Sequence, residues 1–288
     1  MDQPLPLELR IRQLHERSWI GYSGAIEIRN TLESLINHPK THRMPNLAII
    51  GETNNGKTML LENFLRRHAP NPDPTIDRVT LPVLMIQTPP DPDEIRLYGA
   101  LLEYLQASGA TREPADSKLR RLKRILTDLQ TKMVMLDEFQ HALAGTPIRQ
   151  RKFLNALKYL GNELQIPIVV AGTPDGLNAL QTDQQIANRF EPMFLPKWKM
   201  GENYLRLLAS IEKILALTHQ SGLSKPFSAK RILDESEGTI GEIMRLLRLL
   251  AEQAIRSGTE QITEDALKET NLKKIGWRSP TSRVRYPR

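Results

Sequence analysis

At 288 residues, with 40% apolar and 25% charged side chains, the chain can build a substantial core in one large or two modest domains. It has no cysteine, which excludes disulfides, thiolate metal sites and thiol nucleophiles; no run approaches the roughly 18 to 20 apolar residues of a membrane span, and the opening MDQPLPLELRIRQLHERSW offers no apolar stretch for a signal peptide, so a cytoplasmic protein without membrane partners is expected. The net charge of +7 sits at one end: residues 273–288, KKIGWRSPTSRVRYPR, hold six of the 40 basic residues and no acid, so the rest is close to neutral, and these residues are expected as a flexible basic tail that can lie along phosphates or dock on a partner.

Along the chain, Leu7, Ile11 and Leu14, then Ile26, Ile28, Leu32, Leu35 and Ile36, recur at helical spacing, and the polar, proline-bearing NHPKTHRMPN ends that pattern. The apolar run Leu47 to Ile50 enters a glycine-bearing loop followed by the helical MLLENFLRRHA, a strand, loop and helix unit. PNPDPTID reads as a turn-rich link, PVLMIQ (82–87) as a second buried strand, and 94–105 as a helix after the break TPPDPDE. Lys118 to Leu129 forms an amphipathic basic helix with Leu119, Leu122, Leu126 and Leu129 on one face. Met133 to Leu136 and Ile166 to Ala171 are two further buried strands, separated by the helical RKFLNALKYLGNEL. Strands alternating with helices predict an α/β fold with a mostly parallel sheet covered on both sides. Beyond Trp198 the chain favours helix at 203–218, 228–236, 240–257 and 263–270, a small helical domain; there is no internal repeat. The expected organisation is a helical segment at 1–45, an α/β domain at 46–198, a helical lid at 199–272 and the tail.

The chemistry starts at Gly51-Glu52-Thr53-Asn54-Asn55-Gly56-Lys57-Thr58, a complete G-x-x-x-x-G-K-[ST] match between a predicted strand and a predicted helix, with Met59 following it in the binding segment. Glycines let the backbone curl so that successive N–H groups face phosphates, and the helix start adds its dipole. Lys57 is placed to reach the β- and γ-phosphates of a nucleotide, and Thr58 to ligate Mg²⁺. Met133 to Leu136 runs into Asp137-Glu138, as in a Walker B strand: Asp137 can hold the Mg²⁺ and Glu138 can deprotonate the attacking water, a pairing that favours hydrolysis over a pure switch. Thr173, after the next strand, can sense the γ-phosphate, and is equally a helix-entry residue before Pro174. Arg189 in QQIANRFEPM can act as an arginine finger supplied across a subunit boundary, with Arg149 and Arg151 as competitors.

In their order along the chain, WIGY (19–22), MPNLAIIGETNNGKTMLLENF, VMLDEFQHALAG, RKFLNALKYLGNELQIPIVVAGT, NRFEPMFLP and EGTIGEI make the sequence similar to the TniB/TnsC family of transposition regulators, over roughly Trp19 to Ala254. The resemblance implies a P-loop AAA+ core, with a RecA-like parallel sheet and a small helical lid, that uses ATP and Mg²⁺. It also implies a homo-oligomer, ring or helical filament, on duplex DNA without sequence preference, which recruits a DDE transposase and works with a TniQ-like target-selection protein. Under it Thr173 becomes the sensor, Arg189 the finger, and Trp19 and Tyr22 a cover for the adenine ring, unless WIGY is only an apolar staple for the first helix. One position departs from the pattern: where many such ATPases carry a lid arginine, GTIGEIMRLL has Glu242, so a second sensor is either missing or supplied by Arg245 one turn later. Arg96, Arg112, Lys118, Arg120 and Arg121 fall where related ATPases face DNA, and phosphate contacts there would be salt-sensitive and independent of sequence. A helicase-loader or replication-initiator ATPase and a nucleotide-gated scaffold with little turnover are the rival expectations.

Overall fold

The computed structural model describes residues 6–16, 19–70, 79–91, 93–107, 109, 112–181 and 187–284, leaving aside the side chains at 179 and 284. Most of PNPDPTID, part of QQIANRFEPM and the last four residues of the tail lie outside them. The chain divides into two compact units, one of residues 24–53 and 57–195, the other of 1–23, 54–56 and 196–288. This partition differs from boundaries at 45, 198 and 272: helix α1 (Leu7–His15) groups with the C-terminal unit, and α2 (Ser23–Ile36) with the sheet.

In the sheet unit, β1 (Asn46–Gly51) leads into α3 (Lys57–Arg67), followed by β2 (Val83–Gln87), α4 (Glu94–Tyr104), α5 (Ala115–Asp128), β3 (Met133–Asp137), a 3₁₀ turn (Phe139–Leu143), α6 (Pro147–Leu164), β4 (Ile168–Gly172), α7 (Pro174–Gln181) and β5 (Phe190–Leu195). The five strands pair in the order β2-β3-β4-β1-β5, all parallel. The α/β reading holds because β1, β3 and β4 are buried at nearly every position, as strands covered on both faces must be. Strand β4 starts at Ile168 rather than Ile166, since Pro167 has no N–H to give the ladder; its carbonyl accepts from Val134 instead. The core holds Leu84, Leu97, Leu101, Leu122, Val134, Leu136, Phe139, Phe153, Leu160 and Val170, all but inaccessible to solvent. The predicted leucine face of α5 is the buried one.

The end of β1 is close to β5. A Cβ added to Gly51 would stand 2.9 Å from the carbonyl oxygen and 3.1 Å from Cβ of Leu195. Backbone cannot yield as a side-chain tip can, so Gly51→Ala is expected to cost about 1 to 3 kcal/mol of unfolding free energy by overpacking. A denaturant titration showing less than about 0.5 kcal/mol would contradict that close approach.

The other unit contains α1 and α8 (Glu202–Leu215), α9 (Pro226–Ser236), α10 (Ile240–Ser257), α11 (Glu269–Lys274) and α12 (Pro280–Val284). The apolar faces of α8 to α11 meet around Tyr204, Leu208, Ile211, Ile232, Leu246, Leu247 and Leu267, with Ile11 and Leu14 of α1 in the same cluster. Two expectations are corrected here. Residues 263–268 are not helical: Leu267 and Lys268 donate to Glu264 and Asp265 in successive turns, the Thr263 hydroxyl accepts from Ala266 N–H, and helix begins only at Glu269. Nor does the tail hang free from 273. Trp277 is 4% exposed, in the apolar cluster, and its indole N–H donates to Glu235 at 2.9 Å. Burying an indole is worth roughly 4 kcal/mol, enough to dock a basic segment that charge alone would leave solvated.

Arg10 of α1 meets Glu260 through two hydrogen bonds of 2.7 Å. That bond chiefly holds the Glu260 carboxyl at about 2, against an ordinary 4.5. The folded state therefore binds this proton less readily than the unfolded chain. Its stabilisation is complete above about pH 4.5 and disappears as pH falls towards 2. Glu260→Gln is expected to lower stability by about 1 to 2 kcal/mol at pH 7, and by much less at pH 3. Equal deficits at the two pH values in thermal unfolding would refute this linkage.

Candidate nucleotide site

Strand β4 lies between β3 and β1, with Ile50 opposite Gly172 and Leu136 opposite Val170. The carboxyl ends of three adjacent strands therefore carry Asp137 and Glu138, Thr173, and the loop from Gly51, on the edge where parallel α/β sheets bind ligands. In the loop, Asn54 (φ 60°) and Gly56 (φ 86°) adopt the left-handed conformation that alternates backbone N–H directions into a concave nest. Asn55, 2% exposed, donates to Pro196 O at 3.2 Å and accepts from Ile240 N–H at 3.3 Å. Asn55 is thus a structural residue of the loop. The preceding Glu52, Thr53 and Asn54 are exposed.

Lys57 opens α3 and is buried, with Nζ donating to Gly51 O at 2.8 Å and Glu52 O at 2.9 Å. Burial lowers the lysine's pKa, and the charges of Glu138, Asp137 and Glu52 oppose that shift. The ammonium is held by two carbonyls at the mouth of the loop, each replaceable by a phosphate oxygen. The Thr58 hydroxyl donates to Asp137 Oδ2 at 2.6 Å, and the Glu138 N–H to Asp137 Oδ1 at 2.8 Å. Burial raises the Asp137 carboxyl's pKa and the Glu138 charge adds to this, while Thr58, the Glu138 N–H and Lys57 act against it. A cation beside Asp137 would relieve the burial of its charge. One carboxylate beside one hydroxyl is the donor set of a Mg²⁺ held otherwise by phosphates and water, and the residues fit that ion. Among the described residues no cluster of three or more His, Asp or Glu could hold a metal without such help.

Glu138 turns the chain off β3 in the left-handed conformation (φ 53°, ψ 43°), which sends Phe139 into the core and leaves its own carboxylate at the strand end. Gln140 Nε2 donates to Glu138 Oε2, and Gln140 Oε1 accepts from the N–H of Thr173 at 3.2 Å. The Thr173 hydroxyl is buried with no partner among the described residues. An orphaned hydroxyl between the two Walker strands awaits an acceptor or donor, as a sensor would.

Arg189 precedes β5 at the amino end of the strands, its carbonyl accepting from Asn46 N–H and its Nη1 donating to Asn162 at 2.8 Å. It stands at the opposite end of the sheet from the loop, so a finger role can only be exerted on a neighbouring subunit. Tyr22 packs edge-on against Trp198 at 4.9 Å, and burial pushes its hydroxyl up to about 12; Trp19 is half-buried. Arg245 is exposed, 5.9 Å from the Trp277 ring. The partner of Glu242 is instead Arg283 of the tail, through bonds of 3.0 and 2.5 Å, and Glu242 also accepts from Asn54 at 3.1 Å. Arg283 lies 5.1 Å from the Trp277 ring. The glutamate just after the glycine turn that precedes α10 was the available signal for this pair.

Of the five basic residues expected to face DNA, Arg96 pairs with Asp91 at 3.0 Å and Arg121 with Glu113 at 2.5 Å, so both are already engaged. Arg112 and Arg120 are exposed and Lys118 half-exposed, with no ion pair among the described residues.

The fold is similar to that of the Aeropyrum pernix ORC2 protein in its ADPNP-ADP complexes, with TM-score 0.66 and 17% identity over 90% of this chain and 71% of that one. Aeropyrum pernix ORC1 in complex with DNA follows at TM-score 0.63 and 16% identity, over 92% and 68% of the two chains. Cdc6p of Pyrobaculum aerophilum gives 0.58 and 18%, over 94% and 68%. These likenesses establish the AAA+ P-loop architecture. No curated protein matches the chain in sequence. The sequence model of the bacterial TniB protein matches residues 10–200, two thirds of the length, and with the complete phosphate loop and acidic strand end inside that stretch, this chain belongs to the TniB family.

Proposed function

We propose that the protein is an ATP-dependent regulator of DNA transposition that binds and slowly hydrolyses ATP, assembles on duplex DNA without sequence specificity and recruits a DDE transposase. The observation that carries the reading is the convergence of Lys57, the Thr58–Asp137 pair, Glu138 and the unpartnered Thr173 hydroxyl at one edge of the sheet, in a chain of the TniB family. Lys57 exchanges its two carbonyls for β- and γ-phosphate oxygens. Thr58 and Asp137 hold Mg²⁺, which when bound neutralises charge on those phosphates. Glu138 takes the proton of a water whose oxygen attacks the γ-phosphorus, while the bond to the β–γ bridging oxygen breaks and ADP leaves. Thr173 donates its hydroxyl to a γ-phosphate oxygen. Arg189 completes the site of a neighbouring subunit in a ring or filament.

Arg112, Lys118 and Arg120 are the DNA-facing cations of this reading, supplying contacts to phosphates rather than bases. Two similar structures, one in ADPNP-ADP complexes and one in complex with DNA, support a nucleotide and DNA as ligands. The same likeness favours replication initiation as the second reading; membership of the TniB family favours transposition. A TniQ-like protein would then choose the target.

The deciding experiment is binding to random-sequence duplex DNA with ATP, ADP or no nucleotide at two salt concentrations, imaged by negative-stain microscopy. Regular assemblies that require ATP and weaken with salt are expected, and capture of the cognate transposase by those assemblies separates the two readings. A chain that stays monomeric and off DNA in every condition would end the DNA-assembly reading.

A further inference from the structure

Between Glu138 and Thr173 lies Gln140, a residue with no assigned part in the chemistry. Its carboxamide is used at both ends: Nε2 donates to the Glu138 carboxylate, and Oε1 accepts from the Thr173 N–H at 3.2 Å. The orientation is dictated by chemistry, because a flipped amide would set its oxygen against a carboxylate and its NH₂ against an N–H. The fold makes room for this bridge. A Cβ on Gly172 would lie 3.1 Å from Gln140 Oε1 and 3.2 Å from Phe139 Cβ, and one on Gly176 3.2 Å from the Gln140 nitrogen. Two glycines thus let the turn after β3 lie directly on the junction of β4 and α7. On one side of the bridge is a glutamate in a strained backbone conformation; on the other, a threonine with a buried, unpartnered hydroxyl.

We propose that Gln140 is a positioning residue that ties the carboxylate of Glu138 to the end of β4, so that engagement of Thr173 by the γ-phosphate is transmitted to the base that activates water. This rests on the ATPase reading given above. Gln140 touches no reacting atom. It fixes the direction of the Glu138 carboxylate, leaving one oxygen for the water, and moves with the Thr173 backbone. Without it the carboxylate can rotate, and a contact made at Thr173 no longer reaches it.

The test is steady-state ATP turnover with duplex DNA present for the wild type, Gln140→Met and Gln140→Glu, with nucleotide affinity and melting temperature measured alongside. Methionine keeps the length and packing of glutamine while removing both polar contacts. It is expected to lower kcat by about 10- to 100-fold with KM changed less than about threefold, the signature of a transition-state loss. Glutamate keeps the length and an oxygen that can accept from the Thr173 N–H, but it cannot donate to the Glu138 carboxylate, so it too is expected to lower kcat by about 10-fold or more with KM nearly unchanged. Turnover within twofold of wild type in Gln140→Met, or a fall explained by lost nucleotide binding, overturns the assignment, as does wild-type turnover in Gln140→Glu. A wild-type chain that releases no phosphate from ATP overturns the ATPase reading and the role of Gln140 together, whereas normal wild-type turnover with unaffected variants overturns the role of Gln140 alone.

Discussion

Lys57→Ala is expected to reduce ATP turnover by at least about 100-fold, the usual consequence of removing a preorganised charge from a phosphoryl-transfer site. The lysine is held in advance, its Nζ fixed by Gly51 O and Glu52 O at 2.8 and 2.9 Å. Little conformational entropy is left for the nucleotide to remove. Burial disfavours the lone ammonium, and the acidic residues at the ends of β1 and β3 sustain it, so arriving phosphates meet a desolvated charge. Alanine takes that charge away without leaving an unpaired ion behind, and the ligand-free protein should keep its stability within about 1 kcal/mol. Phosphate release, binding of a fluorescent ATP analogue and thermal melting measure the three quantities. Turnover within about tenfold of wild type would mean that the loop does not serve phosphoryl transfer.

Glu138→Gln is expected to separate binding from chemistry. The substitution keeps size and hydrogen bonding, since the oxygen of the introduced carboxamide can still accept from Gln140, but it removes the base. General base catalysis contributes about 10²- to 10⁴-fold, and turnover should fall within that range while ATP affinity stays within about twofold. If assembly on DNA depends on ATP and is ended by hydrolysis, this variant should also hold its assemblies for longer. Simultaneous loss of nucleotide binding would show that Glu138 maintains the fold of the strand end rather than activating water.

Four of the five strands, most of the helices, the parallel α/β sheet, the glycine-bracketed loop and the acidic strand end were legible in the residues. Each depends on a local pattern: buried runs of four to six residues, a glycine-bracketed loop ahead of a lysine, two acids behind an apolar run. Local patterns read less well where short side chains compete for the backbone, and there the Thr263 hydroxyl, accepting from the Ala266 N–H, opens successive turns in place of an expected helix. Charge read even less well. A run of six cations looks like a solvated tail until an indole among them finds an apolar cluster and an arginine finds Glu242, 41 residues away. In the same way, nothing in DEFQ indicates that the glutamine turns back to the glutamate two residues before it and on to Thr173, 33 residues further along. The local code specifies which backbone conformation each segment prefers and which atoms it can offer. Which buried donor meets which acceptor depends on strand order and on where glycines leave room, and those are settled only when the whole core closes.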